Sequence, residues 1–278
     1  MAAILDDSDF TRFRNLIYDE SGIHFSETNR SILESRLRER LRLTGHETVG
    51  AYYTHLRADG NELKEFLDSV TTNLTRFFRN TAHFETFESY VIPDLLKHKP
   101  SPADRQIRVW SAGCSTGEEP YTIAMVLMEI LPPGYDIKVI ASDISLKSLM
   151  TAKAGYYPTH RVTGVPEPYL KKYFLQKDGG YQIHPDVMKR VTFDYHNLKH
   201  SNGVTGLDIV FCRNVLIYFD DAAQKITVDH FWNAMSSYSY LFIGHSESLF
   251  GMKTQFEFVR TDWACVYRKA TARPAIST

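Results

Sequence analysis

The sequence predicts an α/β protein in which a parallel, helix-covered sheet follows an all-α N-terminal domain and carries a small antiparallel insertion. Amphipathic helical patterns fill residues 1–70 with no strand-like run between them. From about residue 93, short runs apolar at consecutive positions alternate with helical ones, as strands buried on both faces do. Around 156–192 the alternation stops, in a stretch with four prolines and a DGG turn.

The elements follow in order. "DSDFTRFRNLIYDESG" offers Asp7, Ser8 or Asp9 as an N-cap, sets Phe10, Phe13, Leu16 and Ile17 on one face, and stops at Gly22. "SETNRSILESRLRERLRLTG" repeats the logic, with Ser26 as cap, Leu33, Leu37 and Leu41 as the stripe and Gly45 as terminator. "TVGAYYTHLRADG" and "NELKEFLDSVTTN" complete the bundle. Residues 71–92 read as a linker, and the sheet domain as 93–278, entered through the polar "KHKPSPADR". There "IRVWSAG", "IKVIASDI", "RVTFDYHNL", "LDIVFCRN" and "SYLFIGHSE" read as strands. "EEPYTIAMVLMEIL", "SLKSLMTAKAG" and "DAAQKITVDHFWNAMS" read as helices, and "FEFVRTDWACVYRK" as a closing hairpin.

Bulk composition excludes several classes. A net charge of −1 gives no chain-wide attraction to nucleic acid or anionic membrane. Cys114, Cys212 and Cys265 are odd in number, far apart and outside any CxxC pair, so neither a disulfide framework nor a metal centre is expected. No basic-apolar leader opens the sequence, and no apolar run nears the ~20 residues that span a bilayer. The expectation is a cytoplasmic, monomeric protein without membrane insertion.

Ligands of an open parallel sheet bind beyond the carboxyl ends of its strands. Five groups stand there: Ser111 to Glu119, Asp143, Asp194-Tyr-His196-Asn197, Arg213-Asn214, and His245-Ser-Glu247. An acid after the second strand, Asp143, suits the hydroxyls of a ribose. The first turn, "SAGCSTGEEP", has neither GxGxxG nor GxxxxGK[ST], and its glycines allow a ligand close to the backbone. Its acids, Glu118 and Glu119, offset the pull of a helix N-terminus on an anion. A sugar-bearing ligand with a positive centre fits better than a dinucleotide, and S-adenosylmethionine has both features. Either glutamate alone also reads as a helix cap.

"NLTRFFRN", "VWSAGCSTGEEPYTIA", "ASDIS", "FCRNVLIYFD" and "GHSESL", in this order and spacing, closely resemble the bacterial chemotaxis receptor methyltransferases, the CheR family. The resemblance covers almost the whole chain. It implies a class I, Rossmann-like S-adenosylmethionine-dependent methyltransferase domain with an inserted β-subdomain, behind a helical receptor-docking domain. The implied activity is methyl transfer to glutamate side chains in the cytoplasmic methylation helices of chemoreceptors, releasing S-adenosylhomocysteine. Cofactor contacts carried over by the motifs are Asn73, Thr75 and Arg79 on the linker, one acid of the GEE pair with Glu119 favoured, Asp143 at the ribose, Asn197 and Leu198 on the adenine side, and Arg213 and Asn214. Arg79 and Tyr218 are implied to face the methyl group, although spacing alone reads Tyr218 as a core aromatic.

A protein substrate needs a docking surface. Arg36 and Arg40 flank one side of the leucine stripe, Arg38 and Arg42 the other, and with Glu34 and Glu39 among them they also read as a solvated face. Relatives that tether to a receptor C-terminal pentapeptide resemble this chain except in a longer loop of the β-subdomain. "QKDGGYQIHP" is shorter, which implies independence of the pentapeptide. The alternatives are a methyltransferase acting on another protein or a small carboxylate, and a non-catalytic cofactor-binding signalling module.

Overall fold

A computed structural model describes residues 4–99 and 105–271. Residues 100–104 of the polar stretch before the first strand lie outside the described residues. The N-terminal bundle is α1 (Asp7–Ser21), α2 (Arg30–Thr44), α3 (Val49–Ala58) and α4 (Gly60–Val70). Its core takes Phe10, Phe13, Leu16, Ile17, Leu33 and Leu37, as the periodicity predicts. Gly22 and Gly45 end α1 and α2 in the left-handed conformation. The starts differ from expectation. Asp6 caps α1 by accepting from Asp9 N at 2.7 Å, one residue before the predicted caps. Ser26 makes no capping bond to the backbone, and a 3-10 turn at Glu27–Asn29 precedes α2.

The next helix crosses the expected domain boundary. α5 (Thr81–Thr86) runs through a π-helical turn at Phe87–Val91 into α6 (Ile92–His98), with Pro93 in the first turn of α6. The helix continues through Pro93, which has no N–H to give, because the π turn just before it shifts the hydrogen-bond ladder, Ile92 N donating to the Phe87 carbonyl. Phe84, Phe87, Val91, Ile92 and Leu95 pack into the core of the sheet. A boundary at 92/93 therefore cuts a continuous helix, all of which covers the sheet.

The sheet domain continues as β1 (Gln106–Ala112), α7 (Glu118–Ile130), β2 (Asp136–Asp143) and α8 (Leu146–Ala154). The insertion holds β3 (Tyr156–Pro158), α9 (Glu167–Tyr173), β4 (Phe174–Lys177), β5 (Gly180–Ile183) and α10 (Pro185–Met188). Then come β6 (Val191–Tyr195), β7 (Leu207–Cys212), α11 (Asp221–Ala234), β8 (Met235–Ile243), β9 (Glu257–Arg260) and β10 (Cys265–Ala270). The main sheet has the order β6-β2-β1-β7-β8-β10-β9, parallel from β6 to β8 and antiparallel through the closing hairpin.

Along β7, Ile209 and Phe211 enter one core with α5 to α7 and the insertion, while Val210 and Cys212 enter the opposite one with α11. That period-2 division between two buried faces explains why the strand reads as a continuous apolar run. The insertion is a small sheet of order β3-β5-β4. β4 and β5 pair from Lys177↔Gly180, so Asp178-Gly179 is a two-residue turn, with Gly179 at φ +73°. The predicted hairpin is present.

Candidate active site

Beyond the carboxyl ends of β1, β2, β6 and β7 lies a cleft of about 1000 Å³, counting its solvent-open mouth. Asn73, Thr75, Arg79, Glu119, Asp143, Asn197, Leu198, Arg213, Asn214 and Tyr218 all line it. Parallel strands ending side by side bring these distant sequence positions together. The bundle closes the cleft: Ser21 and Ile23 are part of its wall. The segment after α1 is tied to the loop carrying Tyr218, His24 N donating to the Tyr218 carbonyl at 2.8 Å and Ile23 bridging Phe219.

The two glutamates of the GEE pair part company. Glu119 turns into the cleft, where its Oε1 accepts from Ser111 Oγ at 2.8 Å and its Oε2 lies 3.4 Å from Arg213 Nη1. Burial raises its pKa above the ordinary carboxylate value, against the pull of Arg213. Glu118, one helical position away, is wholly buried and points to the insertion, where it pairs with Arg161. Gly117 faces away from the cleft as well. A Cβ there would come 2.8 Å from Ala152 Cβ and 2.9 Å from the Tyr157 hydroxyl, so this glycine serves the tight start of α7, not the close approach of a ligand.

Asp143 is buried and anchored at both oxygens, accepting from Ser115 N at 2.7 Å and Ser145 N at 2.8 Å. Its pKa is raised by burial, with those backbone donors opposing the rise. Arg213 is only 6% exposed. It donates to the Arg79 carbonyl and sits over the Phe84 ring at 5.6 Å, while its Nε and Nη1 have no hydrogen-bond partner. Beside it His83, buried, has its pKa pushed down to about 4 by burial and then by Arg213 and His245. Arg79 donates to the Leu74 carbonyl at 2.6 Å. The Tyr218 hydroxyl makes no hydrogen bond among the described residues. Asn197 lines the cleft, but its side-chain amide is engaged, donating to the Glu20 carbonyl at 2.8 Å and accepting from Lys199 N at 2.9 Å.

Backbone strain concentrates here. Among the described residues, the non-glycine positions with positive φ are Phe78, Asn80, Ser115 and Asn214. Phe78 and Asn80 flank Arg79, and Ser115 and Asn214 line the cleft. Such conformations cost of order 1–3 kcal/mol each and persist where surrounding contacts enforce them. Glu247 is one enforcer that sequence reasoning left unassigned: it accepts from Asn214 N at 2.9 Å and Ile217 N at 3.2 Å. Its signals were its place after the fifth parallel strand and its position in the GHSESL stretch. Ser21 and Ile23 carried none, since their role depends on how the bundle docks.

The match to known proteins accords with this geometry. Residues 8–71 match the family model described as "CheR methyltransferase, all-alpha domain", and residues 73–265 match "CheR methyltransferase, SAM binding domain". The chain belongs to the CheR methyltransferase family. A chemotaxis protein methyltransferase 2 of Vibrio cholerae is 38% identical over 96% of this chain and 93% of its own. Chemotaxis protein methyltransferases of Borreliella burgdorferi (37%; 88% and 89%) and Salmonella typhimurium (36%; 91% and 88%) are similar over comparable spans. The protein is an S-adenosylmethionine-dependent methyltransferase. Its donor set fits that cofactor: the buried Asp143 and the part-buried Glu119 for hydroxyl and cationic groups, and Arg213 N–H groups without hydrogen-bond partners for an anionic one. No cluster of potential metal ligands occurs among the described residues, and no described helix is long and apolar enough to cross a membrane.

Proposed function

We propose that this methyltransferase esterifies glutamate side chains in the cytoplasmic methylation helices of chemoreceptors, for sensory adaptation. The observation carrying the proposal is the convergence of Arg79 and the unpartnered Tyr218 hydroxyl in the cleft that holds Glu119 and Asp143. The sequence relatives named chemotaxis protein methyltransferases support the choice of acceptor.

A glutamate acceptor has an ordinary pKa of about 4.3, so near neutral pH it is already the nucleophile and needs no base. The cofactor supplies the electrophilic methyl group. What remains for the protein is alignment, exclusion of water and pairing of the acceptor's charge. Orientation of this kind lowers barriers by up to roughly 7–11 kcal/mol in well-aligned systems. Arg79 offers a planar fork to one carboxylate, and the Tyr218 hydroxyl offers one further hydrogen bond. Toward the cofactor, Asp143 suits the ribose, Glu119 the cationic end, and Arg213 with Asn214 the carboxylate end. Asn73 and Thr75 would close the linker over it. Because the Asn197 amide is engaged elsewhere, Asn197 and Leu198 offer the adenine mainly backbone and apolar surface.

Labelled S-adenosylmethionine incubated with chemoreceptor-containing membranes tests the proposal. Label that base releases as methanol is expected; base-stable label, or none, rejects glutamate esterification. The two-residue β4–β5 turn supports a reading without pentapeptide tethering, so a receptor C-terminal pentapeptide is expected not to bind at micromolar concentration.

A further inference from the structure

We propose that the insertion frames the active site: Arg161 and Tyr157 are positioning residues for the cofactor turn, and a ring cluster in the insertion seats the linker that carries Arg79. This requires the cofactor class alone, not the identity of the methyl acceptor.

The turn side rests on a closed set of bonds. Arg161 Nε donates to Glu118 Oε1 at 3.0 Å, and its Nη2 donates to Thr116 Oγ1 at 2.6 Å and to Glu118. Thr116 Oγ1 donates to Glu118 Oε2 at 2.7 Å, and the Tyr157 hydroxyl donates to the Thr116 carbonyl at 2.6 Å. Backbone and side chains of 116–118 are thus gripped from the insertion. The next residue is Glu119, and Ser115, two positions before Glu118's neighbour Gly117, gives its N–H to Asp143. Glu118 is a carboxylate with no solvent exposure, and such a group persists only when paired and bonded. Its partner comes from the insertion, so loss of that grip frees the segment between the two acids of the cleft.

The linker side is made of rings. Phe77 packs edge-on against Tyr157 at 4.9 Å and Phe174 at 5.1 Å, and Phe78 lies 4.7 Å from Tyr169. Phe78 N also donates to Thr122 Oγ1 at 3.2 Å, and Thr122 Oγ1 donates to the Glu118 carbonyl. Both sides therefore meet at the first turn of α7. Phe78 is held at φ +52°, a conformation a bulky residue does not keep unaided, and it precedes Arg79.

The test uses the full chain and reads calorimetric affinity for S-adenosylhomocysteine together with amide hydrogen exchange of the ligand-free protein. Arg161→Ala is expected to weaken affinity about tenfold and to speed exchange at 114–119 while β1 and β7 stay protected; Arg161→Lys should recover part of the loss. Because Arg161→Ala leaves Glu118 unpaired and endangers folding, the double variant Glu118→Gln/Arg161→Leu carries the decision. It removes both charges and should fold, yet lose affinity to the same degree. Wild-type affinity in that double variant overturns the turn assignment. Tyr169→Ala is expected to speed exchange at 77–80 and lower kcat in receptor methylation while S-adenosylhomocysteine affinity stays within about twofold. Unchanged exchange and kcat overturn the linker assignment.

Discussion

Arg40 with Glu62 in the bundle and Arg213 with Glu119 in the cleft are both buried arginine–glutamate pairs, and they are built in opposite ways. Arg40 meets Glu62 in a fork, Nε to Oε1 at 3.0 Å and Nη2 to Oε2 at 2.6 Å, and the Tyr52 hydroxyl adds a bond of 2.6 Å. In the cleft the closest approach is 3.4 Å, and Arg213 keeps two nitrogens without hydrogen-bond partners. A buried pair closed on itself holds a fold together; one left open keeps donors and charge for a ligand. The pairing also removes Arg40 from the predicted docking surface. Its side chain is 12% exposed and turned into the bundle, because the buried Glu62 needs a cation.

Arg40→Ala breaks the closed pair and leaves Glu62 buried alone. The expected cost is about 3–5 kcal/mol of folding stability. Urea unfolding measures it, with calorimetry expected to show unchanged cofactor affinity in the folded fraction. Equal stability would mean that Glu62 finds another partner.

Arg79→Ala, on the open side, should cost turnover instead of stability. The expected drop in kcat is about 100-fold, since the donor proposed for the reacting carboxylate is lost. S-adenosylhomocysteine binding should remain measurable by calorimetry. Wild-type turnover at saturating cofactor removes Arg79 from the mechanism.

Glu119→Gln sharpens the contrast through pH. Burial raises the Glu119 pKa, so its charge is present above that raised value and disappears as pH falls through it. Affinity for S-adenosylmethionine should therefore decline as pH is lowered through that raised value, and the glutamine variant should be weaker above it, by about tenfold, and flatter. Stability of the ligand-free protein runs the other way. A carboxyl with a raised folded pKa contributes stability that is present below its unfolded value and lost as pH rises through the folded one. Thermal unfolding of both proteins on either side of that value tests the second sign independently of the first.

The open pair and the closed one also mark what a sequence discloses. β7 was legible because Ile209, Val210, Phe211 and Cys212 feed two cores in strict alternation, and Asp143 and Arg213 were legible because strand ends converge in an open sheet. Glu118 and Glu119 could not be told apart, since the roughly 100° between adjacent helical positions aims one at Arg161 and the other at Arg213, partners 43 and 94 positions away. Arg40 misled for the same reason: its helix face was correct, but its partner lies on another helix. The helix through Pro93 was hidden by a residue that reads as a boundary unless the π turn before it is known.

The smallest expected effect concerns what is left of the docking surface. Arg42 is exposed and Arg36 half-exposed on α2, while Arg38 has Glu34 at 3.9 Å. Charge complementarity at an exposed rim acts mainly on encounter and is screened by salt, so each residue contributes modestly. Arg36→Glu/Arg42→Glu is expected to raise the KM for receptor about three- to tenfold at low ionic strength and less at 0.5 M salt. Affinity for S-adenosylmethionine should not change, since neither residue lines the cleft. Methylation kinetics on receptor membranes at two salt concentrations separate the outcomes. A KM unaffected at low salt places the receptor contact off α2, and a loss of cofactor affinity would mean that the bundle transmits charge to the cleft it walls through Ser21 and Ile23.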